Sequence, residues 1–253
     1  MNELLRSILA SRSVKTEGGV ERPLHSNVNS EEGQFLQAII RKYRPRVTLE
    51  IGCAYGISSL YICEALRAVG GAKHIIIDPK QHFPHGTSPT SGWEGIGIAN
   101  LKRAGYADLI EFHETTSFEC LPALFACGEK IDFAFLDGQH TFDYVLVDFF
   151  HTDKILRVGG CVVFDDLHYP SIRKVARYVL SNLPYSALDQ NVSVSLATQF
   201  ASLPLLRKLA KLRVPDRFLG IPARNFMAVQ KTADDLIGEG EGTTRRWDTH
   251  VSF

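Results

Sequence analysis

The sequence predicts an α/β fold: a doubly wound, mostly parallel sheet with helices on both faces. Three observations point there. Short β-rich runs recur through the middle of the chain, and a stretch with helical spacing follows nearly every one of them. Runs such as "IDFAFL" (131–136) and "CVVF" (161–164) are apolar without alternation, as strands covered on both faces are. The chain has 253 residues, 45% hydrophobic and 22% charged, which suffices for one large domain with its own core.

Residues 1–30 open on a short amphipathic stretch and turn polar and glycine-punctuated, which reads as a helical arm or lid rather than core. Ser30 is the expected N-cap of a helix whose apolar Phe35, Leu36, Ile39 and Ile40 fall at helical spacing, with Pro45 ending it. Residues 47–52 ("VTLEIG") form the first strand and a helix follows from Ser58 to about Ala68. "HIIIDP" (74–79) is the second strand, "GIANLKRAG" a helix, and "LIEFHE" (109–114) the third strand. "IDFAFLD" is the fourth strand, "FDYVLVDFFHTDKIL" a helix and "GGCVVFDD" the fifth strand, with "SIRKVARYVLSNL" helical after it. "YSALDQNVSVSLA" and "RNFMAVQKT" supply two further strands around an insertion (about 191–224) that holds a basic amphipathic helix. The tail, 238–253, is rich in Gly, Thr and charge and is expected to order only by contact. Residues 31–237 thus make up the main domain.

In such sheets ligands bind beyond the carboxyl ends of the strands. Those ends carry Glu50 and Gly52, then Asp78, then Thr116 and Ser117, then Asp137 and His140, and finally Asp165 and Asp166. A purely structural sheet has no need of carboxylates gathered on one edge. In "LEIGCAYGISS", Gly52 and Gly56 permit a tight turn and a close ligand approach, while Asp78 closes the second strand where a ribose diol is held. Both a nicotinamide dinucleotide and S-adenosylmethionine carry such a ribose. The longer turn and Glu50 before it suit a cationic amino-acid end better than a pyrophosphate.

"LEIGCAYGISS", "IIIDP", "FLDGQH" and "VVFDD", in this order and spacing, resemble the class I S-adenosylmethionine-dependent methyltransferases, and more closely the metal-dependent, catechol O-methyltransferase-like small-molecule O-methyltransferases. The resemblance spans about residues 30–180. It implies a single Rossmann-like seven-stranded sheet whose last strand is antiparallel. It further implies that Glu50, Gly52 and Ser58 hold the methionine portion of the cofactor, Asp78 its ribose, and that Ser117 lies near the adenine. Asp137, placed beside both cofactor and metal, joins Asp165 and Asp166 as the ligands of Mg²⁺ or another divalent cation. The family often has Asn at the last of these. His140 falls where the animal catechol enzymes have a lysine general base, so His140 and Asp137 are the catalytic candidates.

Chemistry supports that reading independently. Carboxylates from two adjacent strand ends are hard oxygen donors that suit Mg²⁺ better than zinc, and a neutral imidazole takes a proton at physiological pH. The acceptor implied is a small hydroxylated molecule, catechol-like or a sugar diol. Its pocket is expected from residues 1–30, the loop after Asp166 and the insertion. A metal-free O- or N-methyltransferase using His140, a non-catalytic cofactor-binding subunit and a nicotinamide dehydrogenase remain the competing readings.

Simpler roles exist for the same residues. Asp165 and Asp166 can cap the helix near Ser171, and His140 can be a loop histidine. His82 and His85 lack a third metal ligand nearby. Trp93, in the Pro- and Gly-rich loop after the second strand, is placed to cover the adenine, and "LLRKLAKLR" reads as a solvated face. Lys+Arg and Asp+Glu each total 28, so the basic field that nucleic acid requires is missing. Five scattered cysteines with no CxxC pair read as free buried thiols. No secretory leader and no apolar run of about 18 residues is apparent, so a cytoplasmic protein is expected, without membrane contact. The apolar insertion favours a homodimer.

Overall fold

A computed structural model of the chain describes residues 1–82, 92–188, 216 and 219–234. Helix α1 (Glu3–Ser11) leads into a small hairpin, β1 (Ser13–Lys15) with β2 (Glu21–Pro23), and then α2 (Ser30–Tyr43). The main sheet alternates strand and helix: β3 (Val47–Ile51), α3 (Ile57–Ala68), β4 (Lys73–Ile77), α4 (Ile96–Arg103), β5 (Ile110–His113), α5 (Ser117–Ala126), β6 (Ile131–Leu136), α6 (Phe142–Ile155), β7 (Leu156–Phe164) and α7 (Pro170–Asn182). The strands β8 (Tyr185–Ala187) and β9 (Met227–Lys231) complete it.

The seven strands lie in the order β5-β4-β3-β6-β7-β9-β8. β3 pairs in parallel with both β4 and β6, and β6 with β7, whereas β9 runs antiparallel to β7 and to β8. The expected mostly parallel sheet with an antiparallel final strand is therefore present. Its order reverses between β3 and β6, and this opens a crevice at their carboxyl ends.

Alternation along the strands feeds two cores. Leu49, Ile51, Ile75, Ile77, Ala134 and Leu136 enter the layer under α5 and α6, while Ile76, Phe133 and Phe135 pack toward α2 and α3. Asp132 interrupts the apolar run of β6 for a reason that the sequence hid. Its Oδ2 accepts from the backbone N–H groups of Arg46 and Val47 at 2.9 and 3.0 Å and so ties down the start of β3.

Three local expectations need correction. Asn29, not Ser30, caps α2: Asn29 is extended and its Oδ1 accepts from Glu32 N at 3.0 Å, while Ser30 is already helical. The first thirty residues are docked on the body, because Leu5 is fully buried and joins Ile8, Val14, Leu24 and Val28 in the core that holds Tyr61 and Leu36. Residues 117–126 form a helix that the sequence reading left out. Cys53, Cys63, Cys120 and Cys161 are free and buried as expected, whereas Cys127 is exposed. Most of the insertion, all of 238–253 and His85 lie outside the described residues. Among those described, no helix is long and apolar enough to cross a membrane.

Candidate active site

A cleft of about 570 Å³ lies over the carboxyl ends of β3, β4, β6 and β7. The turn after β3 forms its floor. Gly52 has φ +90°, and a Cβ there would stand 2.0 Å from the carbonyl oxygen of Asp137, so only glycine lets β3 and β6 end this close together. Asp78 locks the same turn: its Oδ2 accepts from the N–H groups of Cys53 and Ala54 at 3.0 and 2.9 Å, and its Oδ1 from Lys80 N at 2.8 Å.

Gly52, Asp78, Ser117, Asp137, His140, Asp165 and Asp166 all line this cleft. Glu50 and Ser58 do not. Leu49 and Ile51 face one core, so the strand turns Glu50 to the other side, where it is fully buried. There its carboxylate accepts from the hydroxyls of Ser58 and Ser59, and His74 Nε2 lies 3.0 Å away. These two residues brace the turn from beneath rather than facing a ligand.

At the far end of the cleft His140 stands between two carboxylates. Its Nε2 is 2.9 Å from Asp166 Oδ2 and 3.7 Å from Asp137 Oδ1, and its ring stacks on Tyr169 at 5.1 Å. The donor atoms of Asp137, His140 and Asp166 all lie within 4.8 Å of one another. Asp165 is set behind them. Its Oδ1 accepts from Asp166 N at 2.6 Å and from the Asn225 amide at 3.3 Å, and that amide also donates to Asp166 Oδ1 at 3.0 Å. Asp166 adopts the left-handed backbone, φ 55°, which Asp and Asn tolerate best among residues with a side chain.

Glu32 is the member that sequence reading missed. It looks like an ordinary acidic first-turn residue of α2, yet only 2% of its surface is exposed, it lines the cleft, and its Oε1 has no hydrogen-bond partner. Burial first, and then Asp165 and Asp137, push its carboxyl up to about 10. Burial, reinforced by Asp165 and Asp166, also pushes Asp137 up to about 8 against the pull of His140. His140 is raised to about 10 by the carboxylates that flank it, Asp137 first and then Asp166. In this state protons offset a surplus of negative charge, a place for a cation by the chemistry of the donors.

Residues 49–167 match the family described as "Methyltransferase domain". Among curated proteins the chain is similar to tricin synthase 2 of Oryza sativa, 27% identical over 65% of this chain and 51% of that one. It is also similar to caffeoyl-CoA O-methyltransferase 1 of Eucalyptus globulus, 24% identical over 72% of this chain and 74% of that one. The chain spans little more than half the length of several of these relatives. Among solved structures it resembles an O-methyltransferase from Bacillus cereus in complex with SAH, with a TM-score of 0.57 and 20% identity over 74% of this chain and 83% of that one. That last likeness shows the fold. The strand order and the glycine turn agree with that fold, and residues 49–167, a little under half of the chain, are similar to a methyltransferase domain.

Proposed function

We propose that the protein methylates a hydroxyl of a small acceptor, a catechol-like or sugar diol, using S-adenosylmethionine and a divalent cation, Mg²⁺ foremost. The observation that carries this reading is the convergence of Asp137, His140 and Asp166 at one end of the cleft whose floor is the Gly52–Asp78 turn. The orphaned Oε1 of Glu32 beside them supports the cation. Asp137 and Asp166 would hold it, with Asp165 fixing the backbone of Asp166 and standing by as a further oxygen donor. When bound, the cation lowers the pKa of a neighbouring hydroxyl and the cofactor offers an electrophilic methyl.

The chain's own groups do the rest. Asp78 and the turn it locks position the cofactor's ribose end, and Ser117 stands beside the base. Trp93, packed on Tyr55 at 5.1 Å, closes one wall. Ser26 and Asn27 from the arm and Tyr169 from the loop after Asp166 border the acceptor space and exclude water. His140 Nε2 is the candidate proton acceptor: Asp137 and Asp166 are what hold its proton, and it would be free to take one from the acceptor if those carboxylates faced a cation instead. Holding both reactants in one cleft is worth up to roughly 7–11 kcal/mol.

The test is methyl transfer to 3,4-dihydroxybenzoate or a sugar diol, followed by mass spectrometry with Mg²⁺ and after EDTA treatment. Methylation that EDTA abolishes is the expected result. Turnover that survives EDTA would replace this reading with His140 acting alone. Absence of any binding of S-adenosylhomocysteine would overturn both.

A further inference from the structure

Asp148 plays no part in the scheme above, yet its position is unusual. It lies in the middle of α6, is 3% exposed, lines the cleft, and its Oδ1 has no hydrogen-bond partner. A buried carboxylate oxygen without a donor costs the fold stability, and a residue with a purely structural task would have both oxygens satisfied. Ser117, at the start of α5, donates toward its carboxylate.

The buried Ile51 and Ile77 border the cleft beside it, and so does Gly138. Gly138 does not have the left-handed backbone that would call for glycine. A Cβ on it would instead meet Ile51 Cγ2 at 3.0 Å and point at Asp148 Oδ2, 3.5 Å away. The missing side chain therefore keeps open the approach to Asp148. An ionised acceptor at the end of an apolar slot selects a ligand edge that donates N–H and rejects one that presents oxygen.

We infer that Asp148 is the specificity residue for the base of the cofactor, accepting a hydrogen bond from the exocyclic 6-amino group of adenine. This inference rests on the S-adenosylmethionine reading. Asp78 sits where the ribose is held and Ser117 beside the base, so the ring spans from the end of β4 toward α5 and α6, where Asp148 waits. No atoms are transferred; the role is recognition alone.

The test is isothermal titration of the metal-free protein with S-adenosylhomocysteine and with its 6-oxo analogue, S-inosylhomocysteine. The wild-type protein should prefer the amino form by roughly 10- to 100-fold, the worth of one hydrogen bond to a charged group. In Asp148→Asn, which keeps the shape and gains a donor toward a 6-oxo group, that preference should shrink to within about 3-fold or invert. Equal binding of the two ligands by the wild-type protein would overturn this inference and leave the methyltransferase reading standing. That comparison needs no variant to fold. If S-adenosylhomocysteine does not bind at all, both fall. An Asp148→Asn protein that folds and discriminates as the wild type does also overturns the role.

Discussion

His140 Nε2 lies 2.9 Å from Asp166 Oδ2, and Asp166 is held in the left-handed region by its own N–H bond to Asp165. The imidazole is thus aimed by a backbone that most residues would not adopt. Replacing His140 with Ala should lower turnover of a diol acceptor by about 10²–10⁴-fold, the usual worth of a positioned base, and leave the affinity for S-adenosylhomocysteine unchanged. Steady-state kinetics beside calorimetry separate the two effects. A parallel loss of cofactor affinity would place His140 in binding instead.

Adding Mg²⁺ or Mn²⁺ should raise the melting temperature, because a cation would offset the burial and the neighbouring negative charge that together hold protons on Glu32 and Asp137. At a hundredfold excess over Kd, mass action gives about 2.7 kcal/mol. For a chain of this size that corresponds to a shift of roughly 5–10 °C. Asp137→Ala should abolish the shift and the turnover while cofactor binding stays nearly intact. A wild-type protein insensitive to both cations would remove the metal from the scheme.

Asp148 also makes the ligand-free fold sensitive to pH. Burial raises its carboxyl from 3.8 to about 6, so in this window the native state holds a proton that the unfolded state has released. Its contribution is fully favourable below about 3.8, falls as pH rises toward about 6, and is flat above. The loss is on the order of 3 kcal/mol. Urea unfolding of Asp148→Asn against wild type should show the variant's relative stability climbing between pH 4 and 6.5 and then levelling. Two curves that stay parallel would contradict this.

Leu5 tests whether the first helix is a docked element or a detached arm. It is fully buried against the same core as Tyr61, so Leu5→Ala should cost about 2–5 kcal/mol in unfolding free energy. A cost near zero would restore the detached arm.

The parallel sheet was legible because each central strand is buried on both faces and advertises itself as an unbroken apolar run. The hairpin of β1 and β2 was not, since three-residue strands made of "SVK" and "ERP" carry no period. α5 was hidden by Pro122 and by an apolar composition without a face. Asp78, Asp137 and His140 could be found because strand ends announce them. Glu50 was misplaced because a strand end does not say which way its side chain points. Glu32 and Asp148 sit inside helices and become visible only once α2 and α6 are seen against the ends of β7 and β6. The one available signal was a single carboxylate in the apolar run "VLVDFF".

Asn225 just precedes the antiparallel strand β9 and bonds both Asp165 and Asp166 from 60 and 59 positions downstream. Glu32 meets Asp165 from the other side of the sequence. A ribosome makes these parts in order, so the acidic cluster stays unfinished until β9 has emerged. The growing polypeptide can close the centre of its sheet around the glycine turn early, yet Asp166 gains its bond from Asn225 only 59 residues later. The acidic cluster is thereby tied to the arrival of the segment that leads into β9.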